Sequence, residues 1–270
     1  MVVRNSKVES IFCLDEVNEQ HLTLSLTYLQ LHDLPVMTCL FVGPKNSFAL
    51  QNLHVLKIVG CEKLEIVFST SIVRCLPQLR HLIVKECKEL KHIIEDDVEN
   101  IKGSNYLSSR TSFPMLEVFV VINCTKLKYL LPASVSKELP ELEALMIREA
   151  DELEEIFKSE GDDQEVEIPY LNVVAFVDLP SLCQTQGIQF QDVENRFVQN
   201  CPKFFLTSTS RANSISDIND INFSTGTHYI QYFSKLLHVR CNIYNNNNKN
   251  ITNLRLFLVM PLKVYECLCV

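Results

Sequence analysis

The chain has 270 residues, of which 47% are hydrophobic and 21% are charged. This composition predicts a soluble, packed protein that can bury a substantial core. The formal net charge of −8 and the lack of clustered basic residues argue against a nucleic-acid-binding protein. Residues 1–7 lack the apolar stretch of a signal sequence, and the apolar segment Leu254–Leu262 is too short to cross a membrane. We therefore expect a cytoplasmic protein.

A repeat occupies most of the chain. Lys7–Phe12 resembles Lys63–Phe68, so we expect the chain to start in the middle of a repeat. The apolar positions of Leu53–Ile93 recur 63 residues later. A unit this short cannot bury its apolar face alone, so its copies must stack on one another. The pattern L-x-x-L-x-L-x-x-(C or N) begins at Leu53, Leu79, Leu116, Leu142 and Leu171, with weaker copies at Leu26 and Val193.

One copy shows the expected path of the chain. Leu56 and Ile58 alternate with Val55, Lys57 and Val59, which is the period of a strand with one buried face. After the turn at Cys61, the segment Ser69-Thr70-Ser71 can cap a short helix over 72–76, as Pro132-Ala133-Ser134 can in the next module. The mostly 20–29-residue period predicts an α/β solenoid, a leucine-rich-repeat horseshoe. Its parallel sheet lies on the concave face, and irregular loops and short helices lie on the convex face.

The repeat sets the expected domain boundaries. Residues 1–206 form the solenoid, with the strong repeats over 50–180. The acidic runs 95–99 and 160–165 fall in loops and are expected to be solvated. From Thr207 the pattern is lost, and Asn245–Asn248 is a run of asparagine. We expect 207–270 to be a disordered or loosely packed tail.

The chain lacks the patterns of an enzyme. It contains no phosphate-binding loop, no G-x-S-x-G and no H-E-x-x-H. The cysteines Cys61, Cys87, Cys124 and Cys201 occupy one repeat position, so their spacing is the repeat period and not a metal-ligand spacing. We expect no catalytic residue, no cofactor and no metal.

The candidate site is the side of the strands that faces solvent. The expected partner-binding residues are Tyr28, Gln30, His32, Val55, Lys57, Val59, His81, Ile83, Lys85, Val118, Val120, Ile122, Met146, Arg148, Val173 and Val177, with Ala144 and Ala175 on the same side. This face is apolar around Val118–Ile122 and has a basic rim at Lys57, Lys85 and Arg148. Two interpretations stay open with equal weight: an apolar partner surface, or the ordinary preference of strands for β-branched residues.

The repeats resemble the C-terminal leucine-rich repeats of plant intracellular immune receptors, the coiled-coil nucleotide-binding disease-resistance proteins. The resemblance covers roughly 7–205 and rests on Leu53–Phe68, on Leu130–Ser134 and on Leu31–Pro35. It implies a protein-binding, sensing or autoinhibitory module associated with defence. The partner would be a pathogen effector, a guarded host protein or a neighbouring receptor domain. The nucleotide-binding and coiled-coil regions have no counterpart here, so the chain is expected to be a fragment or truncated paralogue. The alternatives are a stand-alone repeat adaptor, such as a ubiquitin-ligase substrate reader, and an inactive degenerate product.

Overall fold

The computed structural model describes residues 1–13, 22–43, 48–73, 76–95, 113–132, 139–158, 168–183, 193 and 195–204. Three expectations concern residues outside these ranges: the tail at 207–270, the helix after Pro132, and the acidic runs apart from Glu95. These stay predictions.

In chain order, the described strands are β1 (Val2–Arg4), β2 (Phe12–Cys13), β3 (Leu22–Thr23), β4 (Tyr28–His32), β5 (Phe41–Val42), β6 (Phe48–Ala49), β7 (Val55–Val59), β8 (Ile66–Ser69), β9 (His81–Lys85), β10 (His92–Glu95), β11 (Val118–Ile122), β12 (Tyr129–Leu131), β13 (Ala144–Arg148), β14 (Glu155–Phe157), β15 (Val173–Val177) and β16 (Asn195–Gln199). One eight-stranded sheet has the order β1-β4-β7-β9-β11-β13-β15-β16. All of its pairings are parallel. Both weaker copies of the repeat therefore contribute a strand, β4 and β16.

The register of this sheet places equivalent repeat positions side by side. Leu56 pairs with Leu29 on one side and with Leu82 on the other. The same row continues through Phe119 to Leu145. Ile58, two residues after Leu56, belongs to a second row of the same kind. Leu56, Leu82 and Leu145 thus lie in one row, which confirms the expected stacking of the repeat copies.

Both rows point into one hydrophobic core that extends from Phe12 to Phe204. Leu56 and Leu82 have no exposed surface, and neither do Cys61, Cys87 and most of the other repeat-defining positions. Burial of each such side chain stabilises the fold by about 1.5–3 kcal/mol relative to exposure. The core is therefore shared by all the turns of the solenoid and belongs to no single one.

The return side of the solenoid carries short strands where irregular loops were expected. Strand β8 pairs in parallel with β10, and β12 pairs in parallel with β14. The described residues contain one helix, α1 (Thr70–Val73), which begins two residues before the predicted span 72–76 and shares residues 72 and 73 with it. The β-branched and aromatic residues Ile66-Val67-Phe68 favour the extended conformation, which explains the difference.

Each strand of the sheet is followed by one residue with positive φ. These residues are Asn5, Asp33, Gly60, Glu86, Asn123, Glu149, Asp178 and Asn200. The amide of each of the first seven donates a hydrogen bond to the last residue of the next strand, as from Gly60 to the carbonyl oxygen of Lys85 at 3.0 Å. The left-handed turn thus extends the ladder by one bond. That bond offsets the cost of a left-handed conformation, which is about 1–2 kcal/mol for a residue with a Cβ atom.

The two faces of one strand should differ sharply in their sensitivity to truncation. We expect Leu56→Ala to lower the free energy of unfolding by about 2–5 kcal/mol, because it opens a cavity in the shared core. The control is Val55→Ala, on the neighbouring residue of the same strand, which keeps part of its surface exposed. Its cost should stay below about 1 kcal/mol. Urea denaturation of both variants measures the difference, and equal losses would contradict the assigned directions of the side chains.

Candidate partner-binding face

The sheet has one face directed into the core and an opposite face, here called the outer face. The first, third and fifth residues of each strand lie on the outer face. Register aligns them in three rows across the sheet, so that Tyr28 lies beside Val55 and His32 lies beside Val59. The predicted site residues all belong to these three rows. Their placement on one face is therefore as expected, but their exposure is not uniform.

The outer face divides into two parts of different character. The N-terminal part, here called the polar half, contains Tyr28, His32, Val55, Lys57, Val59, His81 and Lys85, all exposed or half-buried. The C-terminal part, here called the apolar patch, contains Ile83, Val118, Val120, Ala144, Met146, Val173, Ala175, Val177 and Phe197. All nine side chains of the apolar patch are buried.

The expectation that the apolar residues of the apolar patch are exposed is wrong. Val120 and Met146 have 0% of their surface accessible. Ile83, Val118, Val173 and Val177 are also buried, as are Ala144 and Ala175. Strand alternation gives the direction of a side chain, but burial depends on what lies beside and above it. Register places Val120 between Ile83 and Met146, so three large apolar side chains pack against one another.

Three further site residues differ from expectation in smaller ways. Gln30 is buried, with 8% of its surface accessible. Ile122 and Arg148 are half-buried. The Arg148 Nε atom lies 3.1 Å from Oε1 of Glu149, so its charge is already paired. Phe197 joins the apolar patch but was not predicted, because its weak repeat lacks the leucine spacing that marks the other copies.

Three side chains of strand β4, Tyr28, Gln30 and His32, form a hydrogen-bonded chain along the polar half. The Tyr28 hydroxyl donates to Oε1 of Gln30 at 2.7 Å, and Nε2 of Gln30 contacts Nε2 of His32. Burial lowers the pKa of His32, and the cations Lys57 and Arg4 lower it further. The imidazole is therefore neutral at pH 7, and Nε2 can accept the hydrogen bond from the Gln30 amide. These hydrogen bonds hold the Tyr28 ring at the edge of the outer face.

The cations Arg4, Lys57 and Lys85 lie on the same part of the outer face as His32, and the carboxylates of Asp33 and Glu86 act on this imidazole as well. Arg4 lies beside it in the fifth row, and Lys85 follows across Val59. Lys57 lies in the third row beside Gln30. Burial lowers the pKa of Lys57, with a further contribution from Arg4. Neither Lys57 nor Lys85 forms an ion pair with a carboxylate in the described residues. The outer face therefore carries two half-buried ammonium groups that form no ion pair within the described residues.

The cysteines of the repeat play a structural part. Cys61, Cys87, Cys124 and Cys201 are buried at equivalent turns. Each thiol donates to the carbonyl oxygen two residues earlier, as from Cys87 to Lys85 at 3.3 Å. A hydrogen bond from the Cys61 thiol to the Cys87 sulfur, together with burial, raises the pKa of Cys61 far above its usual range. The Cys61 thiol therefore stays protonated and is a poor nucleophile. In the part of the chain that is described, no cluster of three metal-ligating side chains occurs.

Stacked parallel strands, a buried leucine row and a cysteine at each turn define a parallel β-solenoid of the leucine-rich-repeat class. The family model for the leucine-rich repeats of plant disease resistance protein RPS2-like proteins matches residues 1–88 and 88–210. The chain belongs to this family. No curated protein and no solved structure matches it. None of the described helices is long and apolar enough to cross a membrane.

Lys85 should titrate well below the usual range of a lysine. Burial lowers its pKa from 10.5 to about 8, and the Lys57 charge adds to the shift. Because the unfolded chain keeps the higher pKa, it binds more protons than the folded chain between these two values. The stability contributed by Lys85 therefore rises with pH across this window.

We expect nuclear magnetic resonance titration of the Lys85 side chain to show this lowered pKa. In the variant Lys57→Gln the pKa should rise only part of the way, because burial is the larger cause. A midpoint above pH 10 in the unmodified protein would show that the side chain is solvated. Complete recovery in the variant would make Lys57 the main cause.

Proposed function

We propose that this chain is a non-catalytic interaction module of a plant defence protein and that it binds a protein partner through the polar half. Leucine-rich-repeat domains generally mediate protein–protein interactions, and the family is that of plant disease resistance proteins. The observation that carries the proposal is the pair of half-buried lysines Lys57 and Lys85, which form no ion pair within the described residues, on the same part of the face as the exposed Tyr28 ring. The resemblance implies that the module acts in the cytoplasm.

The chemistry of the polar half indicates the kind of partner surface. Lys57 and Lys85 are partly desolvated before binding, so part of the cost of burying their charge is already met by folding. A carboxylate placed between them would gain two charge-assisted contacts. Tyr28 has 37% of its surface exposed and offers a large ring with a fixed hydroxyl, which is typical of residues that dominate binding energy. An acidic, aromatic-containing protein surface therefore fits this face.

The partner itself is a pathogen effector, a guarded host protein or a neighbouring receptor domain. All three can present acidic side chains to the polar half. Whether the chain is a fragment or truncated paralogue stays an expectation from the resemblance. A ubiquitin-ligase adaptor role has no observation in its favour here.

Charge reversal on the polar half should remove partner binding. We expect Lys57→Glu with Lys85→Glu to weaken binding of a partner captured from plant tissue by at least about tenfold, or about 1.4 kcal/mol. The matched control is Lys91→Glu with Lys126→Glu, on exposed lysines that pair with Glu65 and Glu89 away from the outer face. Circular dichroism checks that both proteins keep their sheet content.

The result that would contradict the proposal is equal binding by the two double variants. Loss of binding by the control alone would move the interface to the turn side of the solenoid. Substitution of Val120 is not a suitable test, because a charge at a fully buried position would unfold the protein.

A further inference from the structure

The apolar patch is more deeply buried than the sheet alone explains. Among the described residues, its members come only from the strands β9, β11, β13, β15 and β16, and the side chain packed against it, Ile122, belongs to the same sheet. Neighbours in a sheet shield the flanks of a side chain but leave its tip open to the space above. Complete burial of Val120 and Met146 therefore requires a further layer on this part of the outer face.

The other part of the same face serves as an internal comparison. Val55 and Val59 occupy the first and fifth rows, have neighbours on both adjacent strands, and remain partly exposed. Val118 occupies the first row in β11 and is buried. The residue type and the row are the same, so strand geometry alone does not account for the difference. The cover is confined to the C-terminal part of the face.

The place where the described chain stops indicates which segment provides the cover. The last described residue, Phe204, follows β16, the edge strand that contributes Phe197 to the patch. Residues 205–270 continue from this edge. A linker from Phe204 to residue 229 can extend over roughly 80 Å, which is far more than the patch requires. The C-terminal segment therefore starts beside the surface to be covered.

One part of that segment has the pattern of a helix with a single apolar face. Its apolar and aromatic residues are Tyr229, Ile230, Tyr232, Phe233, Leu236, Leu237 and Val239, and its opposite side carries Gln231, Ser234, Lys235 and His238. This spacing predicts an amphipathic helix. Fourteen residues of helix, 227–240, are about 21 Å long. The five strands of the patch span about 19 Å at the usual strand spacing.

We propose that residues 227–240 pack with this apolar face on the apolar patch and form a second layer over the C-terminal part of the sheet. The occupant is a segment of the same chain. The patch carries no charge, and neither does the apolar face of the segment apart from Arg240 at its end. The longer segments 96–112, 159–167 and 184–192, which the structure also leaves undescribed, are rich in acidic or polar residues and do not match. For these fourteen residues, the proposal replaces the expectation of a loosely packed tail.

The proposal does not depend on partner binding by the polar half. It assigns the two parts of the outer face to different tasks: the apolar patch is occupied from within the chain, and the polar half stays open. On this proposal, the apolar residues of β11, β13 and β15 contact the segment 227–240 and do not form the apolar partner surface that was one of the two interpretations of the sequence.

Oxidation of Met146 by hydrogen peroxide tests the cover in the full chain. The side chain is buried in the patch, while Met37 in the main core serves as an internal reference. We expect Phe233→Asp with Leu237→Asp to raise the oxidation rate of Met146 at least tenfold and to leave Met37 protected. The matched control, Gln231→Asp with Ser234→Asp, adds the same charges to the opposite side of the segment. It should leave Met146 protected.

Unchanged protection of Met146 in the first variant would overturn the proposal. Exposure of Met146 by Leu256→Asp with Leu258→Asp, and not by the first variant, would overturn it in favour of the segment 254–262. A photo-reactive phenylalanine at position 233 provides a measurement that leaves the apolar face intact. We expect it to cross-link within one chain to peptides that contain β11 or β13. Cross-links between two chains, or to other parts of the solenoid, would contradict an intramolecular cover.

Discussion

The structure depends on one constraint, the residue-for-residue register between strands of adjacent turns. Register brings Leu56 beside Leu29 and Leu82, and the same row reaches Leu145 through Phe119. Each leucine is buried by its equivalents in the turns before and after it, so no turn has a complete core of its own. A slip of one residue would move the whole row to the outer face and expose it to water. The same register aligns the strands of the sheet, and it places the buried cysteines and the left-handed turns at equivalent positions in adjacent turns of the solenoid.

The outer face shows how one scaffold can carry two surfaces of different chemistry. The strand geometry is constant along the sheet, so the identity of the outward residues decides the character of each part. Tyr28, Lys57 and Lys85 give a part with fixed aromatic and charged groups. Val120 and Met146 give a part that water does not reach. A solenoid therefore allows one part of a face to be covered while a neighbouring part stays available to a partner.

Sequence reasoning was accurate where a repeat position has one physical requirement. The repeat positions of Leu56 and Ile58 must be apolar in every copy, and the position of Cys61 must hold a small side chain that tolerates burial. These positions can therefore be recognised from the sequence. The left-handed turn residues were missed because the position accepts Asn, Asp, Gly and Glu, and the hydrogen bond is made by the backbone. The short strands of the return side were also missed, since a three-residue apolar run such as Ile66-Val67-Phe68 suits a strand or a buried turn equally well.

The sequence by itself determined the repeat, the stacking of its leucine row and the direction of each strand residue, because these follow from periodicity along the chain. Only the tertiary structure decided which outward residues are accessible. Val55 and Val118 have the same place in their repeats, and yet one is half-buried and the other is buried. The physical reason is that exposure depends on the atoms packed beside and above a side chain. Those atoms come from residues far away in sequence, and no local pattern identifies them.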